Sequence, residues 1–232
     1  MTLSSLQSRH VVITGASRGI GRGVAEACAR AGARLTLCAR SEGPLTELSS
    51  RLAAVGGILD VRDPSAVSDW LAAGVRQNGP IDVVFNNAAL LGPKVELADY
   101  PLADWQQVMT VNVDGSFVVT QQALPHMKRP GGALIFMTSF LGRNAIPRFG
   151  AYCASKFAIE GLSRLVHEEH HAEGLISVCL DPGMVATDML VAAQESDDVA
   201  AHPTPEAAGE RFVQLIAGLT PAHSGQGISL FE

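Results

Sequence analysis

The chain has 232 residues, long enough to bury a full hydrophobic core without disulfides or a structural metal. Hydrophobic residues make up 47% and charged ones only 17%, which excludes a disordered chain; a net charge of −6 argues against a general nucleic-acid binder. The longest apolar stretches, such as 133–137, fall far short of a membrane span, and the first ten residues lack a signal-peptide core, so a cytoplasmic protein is expected. Cysteines 28, 38, 153 and 179 form no C-x-x-C pair, and all are expected to be small buried fillers in a reducing compartment.

Short β-branched runs at 10–14, 34–39, 57–61, 81–87, 132–139, 175–181 and 227–231 read as strands. Helical patterns lie between them at 19–31, 44–53, 64–77, 102–127, 150–172 and 205–217. Such alternation implies right-handed βαβ units. The expected fold is a doubly wound, Rossmann-like α/β domain over 1–232, with seven parallel strands ordered 3-2-1-4-5-6-7. Segment 192–205, with Glu195, Asp197, Asp198 and two prolines, reads as a mobile loop or lid.

Directly after the first strand comes Thr14-Gly15-Ala16-Ser17-Arg18-Gly19-Ile20-Gly21. Glycines at a strand-to-helix turn let the backbone approach a pyrophosphate, whose charge meets the helix N-terminus. Asp60-Val61 is read as closing the third strand, where a carboxylate can accept a hydrogen bond from an adenine amino group. Asn86-Asn87-Ala88-Ala89 closes the fourth, where small residues leave room for a ribose. An NAD enzyme usually carries an acid at the end of the second strand, but here the sequence is Cys38-Ala39-Arg40. Arg40, with Arg18 in the glycine turn, suits a 2′-phosphate, so NADP (as NADPH) is preferred to NAD.

Tyr152 and Lys156 stand at i and i+4 on one helix face, and an ammonium there is expected to lower the phenol's pKa into a useful range. Ser139 ends the strand before that helix and can face the phenol. Asn112 lies within a helical run where asparagine is a poor choice; read alone it is expected to face solvent, and a structural or catalytic water is the other reason to have it there.

Taken in order, these motifs resemble the short-chain dehydrogenase/reductase family over nearly the whole chain, continuing through Asp181-Pro182-Gly183-Met184-Val185-Ala186-Thr187. One departure is Ala89, where the family's Asn-Asn-Ala-Gly motif has glycine. The resemblance implies an NADP(H)-dependent oxidoreductase interconverting a carbonyl and an alcohol. Tyr152 would be the acid/base, Ser139 would orient the substrate oxygen, and Lys156 would hold the nicotinamide ribose. Asn112 would support a water-linked proton relay. Pro182, Gly183, Val185 and Thr187 would line the nicotinamide. Leu91, Phe140, Ile146, Phe149, Met184 and Met189 are candidate substrate contacts, which suggests a small hydrophobic substrate. A homodimer or homotetramer is expected, without nucleic-acid or membrane partners. The rival reading is a cofactor-binding regulatory or scaffold protein that has lost turnover; the intact Ser139, Tyr152 and Lys156 argue against it.

His167-Glu168-Glu169-His170-His171 also fits the zinc-protease pattern H-E-x-x-H. The stripe Ala154, Ala158, Leu162, Leu165 and Val166 is expected to pack inward, turning His167 and His171 to solvent. No metal site is expected.

Overall fold

The computed structural model describes residues 6–194 and 198–231. Its centre is a parallel sheet of seven strands in the order β3-β2-β1-β4-β5-β6-β7. The strands are β1 His10–Thr14, β2 Arg34–Ala39, β3 Val55–Ile58, β4 Val83–Asn86, β5 Ala133–Met137, β6 Ile176–Asp181 and β7 Gly227–Ser229. The helices are α1 Gly19–Arg30, α2 Glu42–Arg51, α3 Pro64–Asn78, α4 Leu102–Met109, α5 Gly115–Ala123, α6 Gly150–His170, α7 Asp188–Ala193 and α8 Pro205–Gly218.

Alternate residues of each central strand serve opposite cores, so the strands read as continuous apolar runs. Val11, Ile13, Phe85 and Ile135 pack beneath α1 and α8 with Val24, Cys28 and Phe212. Val12, Val84, Leu134 and Phe136 face α3, α5 and α6 with Trp70, Val119 and Ile159. Helices α1 and α8 approach closely at two glycines: a Cβ at Gly209 would run into the backbone of Gly23, and one at Gly23 into that of Pro205.

Three local expectations are corrected. The third strand spans Val55–Ile58 rather than 57–61. Gly56 and Gly57 pair with Leu37 and Cys38 of β2. The Trp70 ring covers Gly57, where a Cβ would lie 2.5 Å from Cδ1. Asp60 and Val61 therefore occupy the turn after β3 and do not close it.

The expected helix 102–127 is interrupted. Between α4 and α5 the backbone makes one π turn, Thr110–Asp114, and after α5 it tightens into a 3₁₀ turn, Leu124–His126. Single π turns inside helices often mark functional positions, and this one contains Asn112. The expected lid, 192–205, begins at the end of α7 and contains a short 3₁₀ turn, Val199–Ala201. Glu195 and Asp197 lie outside the described residues.

Helix α6 buries only part of the expected stripe: Val166 is buried and Leu162 packs against the core. Its buried face is Tyr152, Ser155, Lys156, Ile159, Glu160, Ser163 and Val166, while Leu165 is 53% exposed. The buried surface is largely polar because it carries a hydrogen-bonded network, which an apolar periodicity cannot reveal.

Candidate active site

The turn from β1 into α1 needs glycine. Gly15 has φ +66° and Gly19 φ +54°, in the left-handed region that side chains rarely adopt. A Cβ on Gly15 would also stand 3.0 Å from both Ala88 Cα and Asn87 Nδ2. Thr14 and Asn87 fix this approach. The Thr14 hydroxyl accepts the backbone N–H groups of Asn87 and Ala88, both at 3.0 Å, and the Asn87 amide donates to Thr14 O at 2.8 Å. Ser17 is buried, Ile20 is half-buried, and the space beside Gly21 is taken by Gly15 O and the Asn87 amide. The result is a backbone cradle at the N-terminus of α1, at the carboxyl ends of β1 and β4, where α/β sheets bind ligands.

The segment after β6 closes on the same turn. Gly183, at φ +64°, donates its N–H to Asp181 Oδ1 at 3.0 Å. Pro182 and Val185 are buried. Thr187 caps α7 by accepting Leu190 N–H at 3.2 Å, and its methyl is 3.5 Å from where a Cβ on Gly19 would stand. Arg18 and Asp188 form an exposed ion pair at 3.4 Å between the two segments.

At the carboxyl end of β2, Arg40 follows the strand and is exposed. The Asp60 carboxylate is held by Arg62, with Nη2 at 2.8 Å and Nε at 3.0 Å. Arg62, with Arg40 contributing, keeps that carboxyl below its ordinary range. Arg62 is a second cation at this end, beside Arg40, that the motif pattern did not single out. Val61 is buried against the start of α5, where a Cβ on Gly115 would meet its methyl at 2.6 Å.

The reactive groups gather where β5 ends beneath α6. The strand stops at Met137, and Ser139 instead caps a 3₁₀ turn, Phe140–Gly142, accepting Leu141 N–H at 3.3 Å. Tyr152 is 9% exposed. Burial pushes its phenol up to about 12, the Ser139 hydroxyl pulls it down, and Asp181 pushes it further up. The sequence led us to expect Lys156 to lower this value, but desolvation of the phenolate outweighs any such effect. Lys156 is itself buried, which brings its ammonium down to about 8. Its Nζ donates to Met137 O at 2.6 Å and stands 5.3 Å from the centre of the Tyr152 ring.

Asn112 is 1% exposed, and its side chain is fully engaged. Oδ1 accepts Leu90 N–H at 2.7 Å, while Nδ2 donates to Leu90 O and Ser155 Oγ, each at 2.9 Å. Ser155 in turn donates to Tyr152 O at 2.7 Å. The asparagine therefore ties the segment after β4 to the helix that carries Tyr152. Ser155 is a member of the site that sequence reading passed over, although it lies between Tyr152 and Lys156. Around this centre Phe140, Ile146 and Met184 are exposed, and Leu91, Phe149 and Met189 are half-buried.

The histidine cluster lies elsewhere on α6. His167 does not point into solvent as expected: it is half-buried against Gly225, and its Nδ1 is 2.8 Å from Ser224 Oγ. Ser224 also accepts Ser177 N–H, which makes His167 a strut for the turn before β7. His171 Nδ1 is 2.9 Å from His167 O. Among the described residues no three His, Cys, Asp or Glu side chains gather as a metal site. Cys28, Cys38 and Cys179 are buried, whereas Cys153 is only half-buried, contrary to expectation, because it occupies the outer side of α6 beside Tyr152.

Comparison with known proteins gives a consistent picture. A family model described as short chain dehydrogenase matches residues 9–198. An NADPH-dependent pterin aldehyde reductase of Arabidopsis thaliana is 33% identical over 232 residues, covering 98% of this chain and 95% of that protein. Gluconate 5-dehydrogenase of Gluconobacter oxydans is 34% identical over 223 residues, covering 92% and 87%. The crystal structure of a short chain dehydrogenase from Escherichia coli CFT073, complexed with NADPH, superposes with a TM-score of 0.92. It is 31% identical and covers 100% of both chains. Among the described residues no helix is long and apolar enough to cross a membrane.

Proposed function

Since the chain belongs to the short-chain dehydrogenase family, an oxidoreductase family, we propose that it is an NADPH-dependent reductase of small, largely hydrophobic carbonyl compounds. We take the whole chain, 1–232, as one cofactor-binding and catalytic unit. The observation that carries this reading is the buried Tyr152 phenol with the Lys156 ammonium 5.3 Å from its ring and Ser139 beside it.

The cradle fits a dinucleotide, because the left-handed backbone at Gly15 and Gly19 and the missing side chain at Gly21 leave the turn's backbone open at the N-terminus of α1. Gly15, Ser17, Arg18, Gly19, Ile20 and Gly21 hold the pyrophosphate. Arg18 and Arg40 bind the 2′-phosphate, and no carboxylate stands at the end of β2 to repel it. Asp60 and Val61 receive the adenine, Asn87 and Ala88 the adjoining ribose. Pro182, Gly183, Val185 and Thr187 flank the nicotinamide, and Lys156 and Tyr152 face its ribose. When bound, the reduced nicotinamide supplies a hydride to the carbonyl carbon.

Negative charge then builds on the substrate oxygen. Ser139 donates a hydrogen bond to that oxygen, and Tyr152 transfers its phenolic proton to it. A phenolate so buried is costly alone, and the Lys156 ammonium offsets that cost. Asn112 keeps the segment at Leu90 and helix α6 in register, and together with Lys156 it supports return of a proton to Tyr152 through water. Phe140, Ile146 and Met184 present apolar surface to the substrate. Free cysteines suit a reducing cytoplasm. Phe117 on α5 and Phe157 and Leu165 on α6 are 47%, 46% and 53% exposed, an apolar face through which subunits pair into a dimer or tetramer.

The test is NADPH consumption against a panel of aliphatic and aromatic aldehydes and ketones, with sedimentation run in parallel. Turnover with at least one apolar carbonyl and an assembly larger than a monomer are expected. No turnover across the panel, with NADPH still bound, would point to the regulatory or scaffold reading instead.

A further inference from the structure

Behind the reactive groups lies an ion pair that the chemistry above leaves unused. Glu160 sits one helical turn beyond Lys156 on α6 and is only 6% exposed. A carboxylate so buried is rarely kept without a partner. Its partner is Arg143, whose Nη2 and Nε lie 3.0 and 3.1 Å from Glu160 Oε1. Arg143 directly follows the 3₁₀ turn that Ser139 caps.

Two glycines make room for this arrangement. A Cβ on Gly142 would stand 3.2 Å from Lys156 O and 3.3 Å from Glu160 Cγ, so the turn lies flush against α6. At Gly227 on β7 a Cβ would overlap the Arg143 guanidinium itself. The guanidinium thus passes over the sheet edge at the one β7 position that has no side chain in its way. The segment carrying Ser139 is held at both ends: by the Ser139 cap on Leu141 N–H at 3.3 Å, and by Arg143 on Glu160.

We propose that Arg143 and Glu160 are positioning residues that hold the Ser139 hydroxyl in register with Tyr152. This rests on the reading of Ser139 and Tyr152 as the catalytic pair. Neither member of the ion pair touches substrate; each acts through the turn and the helix it joins. Misplacing a catalytic group by about 1 Å can cost on the order of 100-fold in rate, so a modest relaxation of the turn has a large kinetic effect. The phenol reports the register, because Ser139 is the group that pulls its pKa down. The other charged groups around the phenol are Lys156 one turn on and Asp181 at the end of β6. Arg143→Met also leaves the buried Glu160 carboxylate uncompensated one turn beyond Lys156, whereas Gly227→Ala keeps both charges and so separates register from charge.

The test compares Arg143→Met, Arg143→Lys, Gly227→Ala and Tyr152→Phe, assayed with the fastest carbonyl compound of the panel and its alcohol. Arg143→Met should lower kcat by about 10- to 100-fold, with NADPH affinity within about twofold of the parent. It should also move the pH limb of alcohol oxidation, which requires the phenolate, to higher pH. Arg143→Lys should restore most of the rate, since it keeps a cation for Glu160. Gly227→Ala, which displaces the guanidinium while leaving both partners in the sequence, should reproduce the kinetics of Arg143→Met, and it decides the matter if the methionine variant does not fold. Unchanged kcat in the folded variants, or a loss of thermal stability without the alkaline shift, overturns the proposal. If Tyr152→Phe is inactive while these variants are normal, only the positioning role falls; if Tyr152→Phe turns over normally, the catalytic reading falls with it.

Discussion

Replacing Asn112 by alanine tests whether this residue joins two parts of the site. The change removes three hydrogen bonds: two to the Leu90 backbone at 2.7 and 2.9 Å, and one to Ser155 at 2.9 Å. Ser155 keeps its own bond to Tyr152 O, and the half-buried Leu90 groups can regain water, so the full penalty for orphaned polar atoms does not apply. Each lost bond is worth about 0.5–1.5 kcal/mol, and the small cavity adds to the cost, giving about 2–5 kcal/mol in all. At this chain length a kilocalorie moves Tm by about 2–4 °C. Urea unfolding should show a lower midpoint with an unchanged slope, and kcat should fall because the segment at Leu90 comes loose from α6. A destabilisation below about 0.5 kcal/mol, the range of ordinary surface substitutions, would refute the bridging role.

Arg40→Ala should weaken NADPH by about 10- to 150-fold, the worth of one hydrogen bond to a charged group, while NADH changes little; equal losses by calorimetry would show that Arg40 does not read the 2′-phosphate. His10 predicts an acid-side loss of stability. Its Nδ1 donates to Gly79 O and its Nε2 lies against the Thr36 hydroxyl, each at 2.8 Å, an arrangement that the neutral ring satisfies. Burial holds its pKa below the ordinary 6.5. Its contribution is therefore complete above that value and is lost as pH falls through the depressed folded one. Thermal melts between about pH 7.5 and 5 should show this slope in the parent and a shallower one in His10→Gln; parallel slopes would contradict it.

The strand order and the first two strands were legible because each run is bounded by strong turn signals, and β1 and β2 match their expected spans residue for residue. The third strand was misread because Gly56 and Gly57 offer no side chains to a pattern. Their place in the sheet is set by β2 and by the Trp70 ring, both distant in sequence. The π turn was hidden for a different reason: one wide turn barely alters the periodicity of a long helix, and only the unusual Asn112 hinted at it. Tyr152, Lys156 and Ser139 were legible as residue types at suggestive spacings. Their electrostatics were not, since burial decides whether a lysine near a tyrosine can lower its pKa, and burial is a property of the whole fold. The histidine run showed the opposite failure. His167 and His171 have metal-ligand spacing, but tertiary contacts use the first as a strut to Ser224.

The central claim, that Tyr152 supplies the proton, is tested most directly by the steady-state turnover of Tyr152→Phe. The substitution deletes one oxygen and leaves the ring packing intact, so fold and NADPH affinity should persist. General acid catalysis contributes about 10²–10⁴-fold, and turnover should fall by at least that range. A phenylalanine variant that binds NADPH and reduces its carbonyl substrate at close to the parent rate would contradict the account.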